Sequence, residues 1–190
     1  PRTGAGTVTL GTSGDTFDVP SGVTLDVTGA TVTGLSAGKV LQVVSAVKTD
    51  TASTSSTTFV TTGLEVSITP SATSSKIFIM ATPNIGNQMD SPAGACLLRD
   101  STELNIADAA SNRNLYGSNV WYQYTGYSAM AYPMTYLDSP SSTSSITYKV
   151  AYKSRNTSGY VLYFNRGFYD TDNDYYGRSS STITVMEIEG

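Results

Sequence analysis

"TTFVTTGLEVSITP", residues 57–70, alternates apolar and polar positions through Leu64, Val66 and Ile68, with Glu65 and Ser67 between them. A spacing of two puts the three apolar side chains on one side of an extended chain, so the stretch predicts a strand with one buried face. Upstream, "KVLQVVSAVKTD" (39–50) is a mixed apolar run. Downstream, "SKIFIMATPNI" (75–85) is apolar on both faces, as a central strand is. "GACLLRDSTELNIAD", "SSITYKVAYKSR" and "GYVLYFNRGF" continue the series, and within "RDSTEL" Asp100 and Ser101 predict a hairpin turn. In the closing "SSTITVMEIEG", Thr182, Thr184, Met186 and Ile188 face one way and Ile183, Val185 and Glu187 the other. Such a strand belongs in the middle of a sheet or at a subunit interface. No window shows the spacing of an amphipathic helix, so the expectation is an all-β fold: an antiparallel jelly-roll-type β-sandwich of about eight to ten strands over residues 39–190.

Composition agrees. Ser and Thr make up about 28% of the 190 residues against 14% charged, with 17 Gly and 13 Tyr, a balance suited to a turn-rich β protein with a polar, uncharged surface. The length suits a single core plus an appendage. Residues 1–38 form that appendage. Thr7–Leu10, Thr16–Val19, Val23–Val27 and Ala30–Thr33 predict short strands with one apolar face each, separated by "GTSGD", "PSG" and "TG". Four such strands cannot offset a backbone-ordering cost of roughly 1–2 kcal/mol per residue, so their apolar sides are expected to be buried between chains, as in fibre shafts. A first residue of Pro1 in place of Met suggests a piece of a longer chain.

Several kinds of chemistry are disfavoured. The chain has no His, which removes Ser-His-Asp and Cys-His nucleophilic arrangements along with the commonest general base. Zinc sites need Cys or His in numbers that one Cys and no His do not supply. Cys96, beside Leu97 and Leu98, predicts a buried and inert thiol. A net charge of −4 with a pI of 4.6 lacks the basic stripe of a nucleic-acid partner. No apolar run reaches the ~20 residues needed to cross a bilayer, so membrane insertion is not expected. A paired-carboxylate glycosidase stays formally open.

Two features could bind. "NLYGSNVWYQYTGYSAMAYPMTY" (114–136) concentrates aromatic rings among Gly, Ser and Asn, with Tyr116, Trp121, Tyr127 and Tyr132 at loop positions. Rings with polar tips give contact area at low entropic cost, whereas the same rings on a strand would be core or subunit interface. The second feature is "YDTDNDYYG" (169–177), where Tyr169, Tyr175 and Tyr176 flank Asp170, Asp172 and Asp174 at alternate positions. This is either a solvated loop or an oxygen-rich Ca²⁺ site, although no Glu stands where an EF-hand would need it. If the two loops share one end of the sandwich, they form an acidic, aromatic-lined apex. Arg99 is expected to pair with Asp100, Glu103 or Asp108, and Arg166 or Arg178 with the carboxylates of 170–174.

The stretches "GKVLQVVSAVKTDT", "GLEVSITPSATSSKI", "LLRDSTEL", "YLDSPSSTSSITYKV" and "NRGFYDTDNDYYGRSSSTITVMEIEG" together resemble the C-terminal domains of bacteriophage fibre proteins, the distal receptor-binding heads of tail or head fibres, especially those of marine phages. The resemblance covers most of residues 38–190. It implies a homotrimer of all-β knobs, similar in plan to C1q or tumour-necrosis-factor heads, on a thin intertwined β shaft of which residues 1–38 look like the end. It carries no catalytic motif that maps onto this sequence, and with the missing histidines the expectation is a virion protein that is not an enzyme, needs no cofactor and binds a host-surface glycan or outer-membrane component. A structural capsid or head-fibre component and a polysaccharide depolymerase are the alternatives.

Overall fold

A computed structural model describes residues 21–22, 39–87, 92–120, 126–155 and 160–190. The chain divides into two units, Pro1–Ser36 and Ala37–Gly190; the fold below is that of the second, and the strands expected within residues 1–38 lie outside the described residues. Thirteen strands follow one another among the described residues: β1 (Val40–Lys48), β2 (Ala52–Thr54), β3 (Val60–Ile68), β4 (Lys76–Thr82), β5 (Asn84–Asn87), β6 (Ala93–Arg99), β7 (Thr102–Glu103), β8 (Ser118–Val120), β9 (Met130–Ala131), β10 (Met134–Asp138), β11 (Ile146–Ser154), β12 (Leu162–Phe164) and β13 (Ser181–Ile188). No described residue is helical.

Alternation sets the faces. In β3, Thr62, Leu64, Val66 and Ile68 are buried while Thr61, Gly63, Glu65 and Ser67 are exposed. All pairing is antiparallel, in three sheets ordered β1-β13-β4-β10, β3-β11-β6-β7 with β8 also on β6, and β2-β12-β5-β9. The third sheet repeats the order of the first, because each of its strands precedes or follows the matching strand of the first along the chain. Pro83 separates β4 from β5 and Pro133 separates β9 from β10. A proline has no N–H to give to a ladder. At this double break Tyr132 N donates to Pro83 O (2.9 Å), so the two interrupted strands stay side by side. The expected single strand 75–85 is thus two strands, divided at its proline. Both β4 and β13 are central in their sheet, and β6 and β7 form a hairpin in which Asp100, at φ 52°, turns with Ser101.

One continuous core joins the sheets, with Leu64, Ile77, Ile79, Ile85, Leu97, Val150, Tyr152, Phe164, Ile183 and Val185 fully buried. Two carboxylates share this interior. Asp138 accepts from Arg99 Nη1 (2.8 and 2.9 Å) and from Tyr148 Oη (2.7 Å), linking β10 to β6 and β11. Arg99 therefore pairs with a residue 39 positions away and not with its neighbours in sequence. Burial and the bond to Asp138 push the Tyr148 phenol far above its usual range. Burial also works against ionisation of Glu187, but hydrogen bonds from Ser71 (N, 2.7 Å; Oγ, 2.6 Å) and Gln42 (2.7 Å) outweigh it and hold the carboxyl at about 2. On the far side of β6 and β11 a smaller cluster of Cys96, Leu98 and Ala151 lies under Phe59 and Ile106. There burial pushes the Cys96 thiol up to about 12, with Glu103 adding to the effect; a thiol so rarely ionised is a poor nucleophile.

Candidate functional site

The strongest candidate is the excursion between β12 and β13, and it begins with one asparagine. Asn165 is fully buried in the left-handed conformation (φ 61°), which Asn tolerates better than most residues. Its Nδ2 donates to Lys48 O (2.8 Å) and Asp50 O (2.9 Å), across the step from β1 to β2. Its backbone N donates to Asn84 O (2.8 Å), just past Pro83. Its Oδ1 accepts from Ser181 Oγ, which in turn accepts from Asn84 N (2.8 Å). Ser179 N then returns to Asn165 O (3.0 Å). One residue therefore ties together three places where strands break, and the loop 166–178 leaves and re-enters at that knot.

Within the loop the charges are ordered. Arg178 grips Asp170 with two nitrogens (Nε 3.0 Å, Nη2 2.8 Å), and Arg166 approaches the same carboxylate at 3.7 Å. Arg166 also donates to Gly167 O and Phe168 O, and its guanidinium lies 4.1 Å over the Tyr163 ring. Arg166 or Arg178 is expected to pair with the acidic run, and both meet it at Asp170. Asp172 and Asp174 make no ion pair among the described residues. Asn173 Oδ1 accepts from Tyr175 N (3.0 Å), an Asx turn at the loop tip. Asp170, Thr171, Asp172, Asn173, Tyr176 and Arg178 border an open depression of about 330 Å³. Among the described residues no three carboxylates converge as a cation site would need, and Asp170 is already held by arginine.

Two glycines bring the tyrosine-rich stretch to this loop. Gly126 O accepts from Phe168 N (2.8 Å) and Tyr169 N (3.3 Å), while a Cβ on Gly167 would stand 2.6 Å from Gly126 O. Only backbone without a side chain can approach so closely. Tyr127 consequently lies 5.8 Å from Tyr169 and 5.6 Å from Tyr176, with Tyr169 and Tyr176 stacked at 5.7 Å and 27°. Tyr127 is 43% exposed, Tyr169 38% and Tyr175, at the tip, 75%. Three of the sequence-derived candidates, Tyr127, Tyr169 and the half-buried Tyr176, thus pack on one another beside the polar depression, and Tyr175 is exposed at the tip of the same loop.

Two others do not join them. Tyr132 is buried (9% exposed) in the main core, which corrects its assignment to a contact loop: it continues the ladder opposite Pro83 and turns inward. Tyr116 lies flat against Gly94 of β6, edge-on to Phe59. Trp121 lies outside the described residues. The residue that sequence inspection missed is Asn165; "FNRG" carries turn-forming types, but the five partners of Asn165 are scattered from Lys48 to Ser181. No protein-family model and no curated protein matches the chain.

Proposed function

We propose that the chain is the head of a trimeric phage fibre, a non-enzymatic virion protein that attaches to a host-surface glycan or outer-membrane component. The observation that carries this reading is the packed cluster of Tyr127, Tyr169 and Tyr176, with exposed Tyr175 at the same loop tip, next to a depression rich in hydrogen-bonding groups. Stacking rings beside carboxylate, amide and guanidinium groups offer both the apolar and the hydroxyl-binding contacts that a sugar needs. Supporting the trimer is the outward face of β1-β13-β4-β10, where Leu41, Val43, Val47, Met80 and Leu137 are exposed. The ladders align Val43, Met186, Phe78 and Leu137 in one row across it. Contiguous apolar surface of this kind marks an interaction site, and a second and third copy of the same chain supply a matching one. A jelly roll is the finer fold reading. Its support is the order in which the chain alternates between layers once β1/β2, β4/β5, β9/β10 and β12/β13 are each taken as one interrupted strand. Residues 1–38 are proposed as the intertwined shaft below the head.

Attachment would work by avidity. Weak single-site contacts, held three to a stem, gain about 10²–10⁴ in overall binding when the geometry allows simultaneous engagement. Light scattering tests the assembly: three times the 20.0 kDa chain mass is expected, and a monomer overturns the trimer. A glycan array probed with labelled protein tests the binding. Selective retention that is lost in the double variant Tyr127→Ala/Tyr176→Ala is expected, and an unchanged pattern in that variant removes the tyrosine surface from the proposal. A second reading, a structural virion component, is favoured by the same outward sheet face, which demands association but no receptor; a trimer that binds no host surface would favour it.

A further inference from the structure

The loop that leads into β8 builds a second site, lined by none of the residues of the first. Tyr116 is seated on β6 because Gly94 has no side chain: a Cβ there would fall 2.0 Å from the Tyr116 ring. Beside it Pro92, Asn112, Arg113, Asn114 and Arg155 close a pocket of about 330 Å³. Ser111, at φ 53°, and the turn bond from Arg113 N to Ala110 O (3.1 Å) fix the end of the loop that presents Arg113. Arg155 N donates to Pro92 O (3.1 Å), which fixes the opposite wall. Lys153 adds a third positive charge, its Nζ lying 4.2 Å over the Phe59 ring and 5.3 Å from that of Tyr116.

This pocket is rich in donors and short of acceptors. Arg113, Arg155 and Lys153 carry no ion pair among the described residues, although the chain as a whole is acidic by four charges. The Tyr116 hydroxyl is buried and has no hydrogen-bond partner among the described residues. A buried hydroxyl left unpaired costs roughly 1–3 kcal/mol, and a phenol can be satisfied by a donor or by an acceptor. Guanidinium groups hold carboxylates through paired, charge-assisted bonds. The side-chain amides of Asn112 and Asn114 can donate to and accept from hydroxyls, and a tyrosine ring offers a flat apolar wall. We infer that the pocket formed by Arg113, Arg155, Asn112, Asn114 and Tyr116 is a binding site for a carboxylate-bearing saccharide, one uronate-type residue deep, independent of the tyrosine surface at 127–176.

Titration calorimetry on the full chain tests it with a galacturonate trisaccharide, its neutral galactose counterpart and sodium sulfate. Saturable binding of the acidic sugar is expected, weakened at least tenfold by Arg113→Ala/Arg155→Ala and weakened by added salt. Both arginines are solvent-exposed, so the double variant should keep its melting temperature, and circular dichroism checks this. Failure of the acidic sugar to bind, equal binding of the neutral sugar, or binding indifferent to the double variant would each overturn the site. Sulfate that displaces the sugar at equal concentration would overturn its saccharide specificity and leave a general oxyanion pocket. The variant Tyr127→Ala/Tyr176→Ala should bind the acidic trisaccharide as the parent does, which separates failure here from failure of the fibre-head reading.

Discussion

The two faces of the sheet β1-β13-β4-β10 reverse what hydropathy alone would suggest. The inward face carries Asp138 and Glu187 and is buried; the outward face, whose only charge among the aligned ladder positions is Lys76, leaves Val43 55% and Val47 62% exposed. What separates them is partnership. The inward carboxylates have partners, Arg99 and Tyr148 from the second sheet for Asp138 and Ser71, after β3, with Gln42 of the adjacent β1 for Glu187, whereas the outward face has no layer of this chain upon it among the described residues. An apolar face is thus a demand for a partner, and a buried charge is evidence that one has been found.

The sharpest way to break this contrast lies within β10, where Leu137 and Asp138 are neighbours pointing opposite ways. Asp138→Ala leaves the Arg99 guanidinium and the Tyr148 phenol without their acceptor and should cost about 3–5 kcal/mol in urea unfolding. A loss below 1 kcal/mol would mean that the pair is solvated and the layers are not joined there. Ile79→Ala, on the same inward face, should cost about 2–5 kcal/mol, depending on how far the core collapses into the gap.

Next in size is a pH effect. The folded carboxyl of Glu187 is held at about 2, below its ordinary 4.5, so the unfolded chain binds the proton more tightly. Its contribution is complete above about pH 4.5 and declines as pH falls toward 2. Melting temperature followed over that window should fall with acid in the parent, and less steeply in Glu187→Gln. Equal slopes would show that other carboxylates govern acid unfolding.

The smallest effect on the fold is expected outside. Leu137→Lys or Val43→Lys should change the stability of the single chain by no more than about 0.5 kcal/mol. The same change should lower the mass in solution to that of one chain, because a charge on a buried interface has no partner. Loss of stability without loss of mass would place these residues in the chain's own core instead.

Much of the fold is visible in local pattern because a strand writes itself at period two. Leu64, Val66 and Ile68 are buried as their spacing requires, Asp100 and Ser101 turn the β6–β7 hairpin, and the doubly apolar stretches at 77–81 and 182–188 occupy central strands. The meeting of the 127 and 169–176 tyrosines required only that two aromatic loops share an end. Where local pattern misled, the cause was a long-range partner. Tyr132 looks like a loop residue between Ala131 and Pro133, yet the neighbouring break at Pro83 lets it stay in register and turn inward. Arg99 has acidic neighbours at 100 and 103 but is claimed by Asp138.

From the sequence alone came the all-β class, the orientation of most strands, the buried thiol and the absence of histidine chemistry, since each depends on residue identity or on neighbours one or two positions apart. Tertiary structure alone decided which apolar face is covered, which carboxylates are held in the interior, that Asn165 knots three strand breaks, and that Tyr116 sits among arginines. Those outcomes depend on groups tens of residues apart arriving within about 3–6 Å of one another, and no short-range periodicity encodes that meeting.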